Sequence, residues 1–81
     1  MVWFVEFENG AGCVRDISTS GALIETSQPF ISGAAIAFSV FQSKHHDCAT
    51  RLYCKGVVVR VEQDGDVWML GVYVEVVRFG R

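Results

Sequence analysis

The chain has 81 residues and a net charge of -2, enough for one small domain and without the basic footprint of a nucleic-acid-binding protein. Hydrophobic residues make up 51% of it and charged residues only 20%, yet no apolar run reaches the ~18–20 residues that span a bilayer. So high an apolar share in so short a chain predicts a tightly wound barrel with a full core, or an apolar face covered by a protein partner, most simply a second copy.

The first strand is expected over Val2 to Glu8, with Trp3, Val5 and Phe7 on one face and Glu6 and Glu8 on the other. Its start, Met1-Val2-Trp3-Phe4-Val5-Glu6, lacks the positive charge and small-residue cleavage site of a signal peptide, so a cytoplasmic location is expected. Asn9-Gly10-Ala11-Gly12 is expected to be the first turn, since Asn-Gly is a strong hairpin signal. The second strand runs from about Cys13 to Ile17 and leads into Asp16-Ile17-Ser18-Thr19-Ser20-Gly21. Asp16, Ser18 and Ser20 can bond their own backbone and hold a turn, and Gly21 is expected to supply a positive φ. This device leaves one carboxylate and several hydroxyls at the rim of a sheet.

The third strand is Ala22 to Thr26, ended by Ser27-Gln28-Pro29, and Ser32-Gly33 makes another turn. Ala34 to Phe41 alternates Ile36, Phe38 and Val40 against Ala35, Ala37 and Ser39; that period of two favours a strand over a helix. Gln42 to Thr50 is a polar loop. Its His45-His46-Asp47-Cys48 contains metal-ligand types, but the spacing matches no structural zinc pattern, so no metal is expected. Cys48 beside those histidines lacks an orienting third group and an oxyanion site, and no catalysis is expected.

Arg51 to Gln63 is a long strand with a change of phase. Leu52, Cys54 and Gly56 share one face while Val57, Val59 and Val61 share the other, which predicts a bend or bulge at Gly56. Asp64-Gly65 is the clearest hairpin turn. The last strand, Val67 to Phe79, carries Trp68, Leu70, Val72, Val74 and Val76 on one face, with Gly71 as a second bend. Phe41 and Phe79 lie off the main apolar faces and are candidates for the surface. Cys13, Cys48 and Cys54 are odd in number and show no CxxC, so they read as reduced, apolar fillers. About six strands separated by turn signals predict an all-β fold, an antiparallel sheet closed into a small six-stranded barrel over residues 1–81.

Three blocks carry a resemblance: Asp16-Ile17-Ser18-Thr19-Ser20-Gly21-Ala22, then Leu52-Tyr53-Cys54-Lys55-Gly56-Val57-Val58-Val59-Arg60-Val61, then Leu70-Gly71-Val72-Tyr73-Val74. In this order and spacing they closely resemble a PilZ domain. The resemblance implies a six-stranded antiparallel barrel of the split-barrel type and a bacterial, non-catalytic receptor for cyclic di-GMP. It implies that Asp16 and Ser18 bond a guanine, that Gly21 shapes the turn, and that Arg15 and Ser20 support the site. A carboxylate suits the paired donors on the N1 and N2 edge of guanine.

Ligand-binding members also carry Arg-x-x-x-Arg just before the first strand, where it holds phosphates and stacks on bases. Here no basic residue precedes Cys13, and Arg15, Arg51, Arg60, Arg78 and Arg81 include no pair four apart. Three expectations stay open. The messenger binds weakly or not at all; arginines upstream of Met1 or from a second chain complete the site; or the barrel is a protein-interaction module or homodimer whose turn is purely structural. No cofactor is expected.

Overall fold

The computed structural model describes residues 3–42 and 51–80. Its six strands are β1 (Phe4–Phe7), β2 (Gly10–Ile17), β3 (Gly21–Thr26), β4 (Ala35–Phe41), β5 (Arg51–Asp64) and β6 (Val67–Gly80). Every neighbouring pair is antiparallel, and the order β1-β2-β3-β6-β5-β4 closes on itself where β4 pairs with β1. The expected six-stranded antiparallel barrel is the fold that forms. None of the described residues is helical, so none belongs to a helix long and apolar enough to cross a membrane.

The inward residues follow the alternation of the sequence. Val5, Ile24, Ile36, Phe38, Val40, Cys54, Val58, Leu70 and Val72 form one core drawn from five strands. Burying each large aliphatic or aromatic side chain there contributes roughly 1.5–3 kcal/mol. Phe7 packs against Phe30 and Phe38, with ring centres 5.1 and 6.4 Å away, and joins β1 to the core. The buried hydroxyl of Thr26 is satisfied: it donates to the Ala11 carbonyl at 2.8 Å and accepts from the Gln28 N–H at 3.2 Å.

Several local expectations are corrected. β2 starts at Gly10, which pairs with Phe7, so the first turn is Glu8-Asn9 and Gly10 already belongs to the ladder. Among the described residues the positive-φ positions are Gly33 (95°) and Gly65 (63°), and Gly65 opens the turn between β5 and β6. The change of phase in β5 falls at Val59. Val58 is buried with Cys54 and Gly56, Val59 is exposed, and Val61 packs on the core again. The cause is a bulge: Val58 pairs with Val72 and Arg60 with Gly71, leaving Val59 as the extra residue. A second bulge places Glu75 of β6 opposite the step from Lys55 to Gly56. Gly56 is a glycine because the Tyr73 carbonyl oxygen occupies the space a Cβ would need. Of the two surface candidates, Phe79 is exposed, whereas Phe41 is half-buried under Phe4 and the Arg51 guanidinium, which stands 4.2 Å from its ring centre. His45-His46-Asp47-Cys48 lies outside the described residues.

Candidate functional site

The polar connection between β2 and β3 is built by its own backbone. The Ser18 N–H donates to the Gly21 carbonyl at 2.9 Å and closes the hairpin. The Ser18 hydroxyl approaches the same oxygen at 3.5 Å, too far to add much. Asp16 Oδ1 accepts the Ile17 N–H at 2.9 Å, which holds the carboxylate against the chain and leaves Oδ2 without a partner among the described residues. From the far side the Val74 N–H donates to the Ser20 carbonyl at 3.0 Å and ties the turn to β6.

Gly21 does not take a positive φ. A Cβ there would stand 2.6 Å from the Val72 carbonyl oxygen, so glycine is required by the close approach of β6 and not by the turn. The bulge just before the motif has a comparable effect on its side chains. Val14 pairs with Ile24 and Asp16 with Leu23, so Arg15 is the extra residue and Asp16 is re-aimed. The Arg15 guanidinium turns to Glu25, Nε to Oε1 at 3.4 Å, and is absent from the groove lining. Ser20 likewise contributes its carbonyl to β6 and no side chain to the groove.

That groove, about 310 Å³, crosses the outer surface beside the turn. Asp16, Ser18 and Gly21 line one end and Arg60 and Gly71 the other. The register explains the grouping. Asp16 pairs with Leu23, Leu23 with Gly71, and Gly71 with Arg60, so the four residues form one row across β2, β3, β6 and β5. Directly paired residues share a face. A carboxylate and a guanidinium therefore stand at the two ends of a row three strand spacings long, about 14–15 Å, with glycine lowering the floor between them. Arg60 Nε lies 3.4 Å from Glu62 Oε2, but both side chains are well exposed, and such a pair contributes little. The arginine is thus available to an anion entering the groove.

Chemically, the row can read a planar group with adjacent N–H donors at Asp16, and can neutralise or stack on it at Arg60. Sequence reasoning missed Arg60 as a partner of Asp16, because 44 positions separate them and only the bulged register brings them into line. On the inner side of the same turn is a smaller apolar recess of about 130 Å³, reached past Ile17, Leu52, Val74 and Val77. Cys54 lines it, and burial pushes its thiol above the ordinary value of 9.0. Among the described residues no group of three His, Cys, Asp or Glu side chains could hold a metal ion.

The family model described as PilZ domain matches residues 5–79, nearly the whole chain. No curated protein and no solved structure matches it significantly.

Proposed function

We propose, from the premise that this chain belongs to the PilZ domain family, that it is a single-domain, cytoplasmic, non-catalytic bacterial signalling module. Its groove is the messenger-facing edge. Asp16 accepts the N1 and N2 donors of a guanine of cyclic di-GMP, Ser18 adds a hydroxyl, Gly21 lets the turn lie flat on β6, and Arg60 meets the phosphate or the base plane. Arg15 and Ser20 act only by supporting the turn. The observation that carries this reading is the row Asp16–Leu23–Gly71–Arg60, which sets opposite charges at the two ends of one groove.

Affinity is expected to be low. A dianionic, planar ligand needs several guanidiniums, and among the described residues the groove holds one, Arg60, in a sequence with no two arginines four apart. Isothermal titration of cyclic di-GMP into the 81-residue chain should give a dissociation constant weaker than about 1 μM, on the order of -8 kcal/mol or less favourable. A sub-micromolar constant would overturn the expectation of weak binding. Loss of the residual heat in both Asp16→Ala and Arg60→Ala, with the barrel intact by circular dichroism, would support the site assignment.

A second reading rests on the apolar side chains around the inner recess. Ile17 and Val77 line it and are exposed, and the exposed Phe79 pairs with Leu52, another lining residue. In this reading the barrel docks a regulatory protein through that end, and the turn is structural. Asp16→Ala would then leave partner capture unchanged, while Ile17→Ser would abolish it.

A further inference from the structure

β6 is paired on both edges only as far as Tyr73. β3 accompanies it from Trp68 to Tyr73, and the Val74 N–H ends that ladder on Ser20. From Val76 to Gly80 the strand is held by β5 alone, along Arg51–Lys55. Among the described residues nothing bonds the opposite edge of residues 75–80. In such an edge every second residue points its N–H and C=O outward, ready to pair with another strand. The side chains add to this. Val76, Val77 and Phe79 are 45%, 54% and 80% exposed. The features that guard the edge are the bulge at Glu75 and the two charges Glu75 and Arg78, which form no ion pair with any described residue.

We propose that a second copy of this chain occupies this edge, paired antiparallel about a two-fold axis at Val77, so that two barrels share one continuous sheet. The choice of a second copy follows from symmetry and charge. A two-fold axis that makes strands antiparallel stands perpendicular to the sheet and keeps its faces, so only residues of equal parity can face each other. Centring on Arg78 sets that guanidinium against its own copy, which is repulsive. Centring on Val76 runs after three residues into the stretch already held by β3. Centring on Val77 pairs residues 75–79 and leaves no like charges opposed. Arg78 of each chain then lies across from Val76 of the other. Glu75, the extra residue of the bulge, is exposed next to Val76, so its carboxylate is the nearest opposite charge to the other chain's Arg78, one position along the strand. On the inner side the two Val77 side chains touch, and each Phe79, which pairs with Leu52 in its own chain, is covered. The proposal is independent of what the groove binds.

Sedimentation velocity of the full chain, over an about hundredfold concentration range, tests it. A reversible monomer–dimer equilibrium is expected, with hydrogen-exchange protection rising with concentration at residues 75–80. Arg78→Glu and Glu75→Arg should each weaken the dimer at least about tenfold. The double variant Glu75→Arg/Arg78→Glu should recover to within about threefold of the parent. Both positions are exposed, so folding survives, as circular dichroism will verify. Phe79→Asp should weaken the dimer by a similar factor. A chain that stays monomeric at its solubility limit overturns the proposal. So does a dimer indifferent to these single variants, or a double variant no better than either.

Discussion

The two halves of β6 use similar residues to opposite ends. Residues 68–73 run between β3 and β5, and there Leu70 and Val72 are sealed in the core. Residues 75–80 carry valines and a phenylalanine too, yet with β5 alone paired beside them among the described residues, Val76, Val77 and Phe79 stand in solvent. Burial in a sheet is a property of the neighbours a strand acquires more than of its own side chains. The first half is therefore a stability element and the second an interaction element, within one unbroken strand.

The largest contrast comes from truncating each half. Leu70 is fully buried, so Leu70→Ala should cost about 2–5 kcal/mol in urea unfolding. Phe79→Ala, measured at low protein concentration, should stay within about 0.5 kcal/mol. Similar costs at the two positions would break the comparison. Next in size are the two glycines where one half passes into the other. Gly21 and Gly56 lie against the carbonyls of Val72 and Tyr73, so either alanine variant forces the backbones apart and should cost about 1–3 kcal/mol. Full stability in Gly56→Ala would show that β6 is free to shift there.

A smaller effect is expected at the turn. Asp16→Ala removes one exposed hydrogen bond to the Ile17 N–H and should lower stability by about 0.5–1.5 kcal/mol while leaving the barrel intact. The smallest effect sits opposite the one-sided half, at Cys54, which pairs with Val77. Burial raises its thiol above 9.0. The folded chain therefore favours the protonated form, and this contribution is complete below the unfolded value and lost as the pH rises through the folded one. Urea midpoints from about pH 8 to about pH 11 should fall more steeply for the parent than for Cys54→Ala. Parallel curves would show that the recess admits water.

Much of this was legible from residue order. The alternation of Ile36, Phe38 and Val40 placed β4 and its buried face, and the polar run from Asp16 to Gly21 marked the connection that lies at the groove. Other features depended on pairing. Gly21 was expected to provide a positive φ, but the reason for a glycine lies in β6, about fifty residues further on. The apolar residues of β5 change face at Gly56 and so predict a bend there, whereas the extra residue is Val59, because a bulge is defined only against its partner strand. Arg60 could be seen as a cation but not as the far end of the row that begins at Asp16.

By itself the sequence determined the local terms: six strands with a period of two, the turns between them, and a carboxylate with three hydroxyls beside the third strand. These are short-range consequences of side-chain type and backbone freedom. Tertiary structure alone decided which strands lie side by side, where the three bulges shift their register, and where β3 leaves β6. Those relations set Asp16 and Arg60 on one groove and leave residues 75–80 with an edge that no described residue pairs. They arise from hydrogen bonds between chain segments far apart in sequence, and a slip of one residue would have turned every side chain of a strand to its other face.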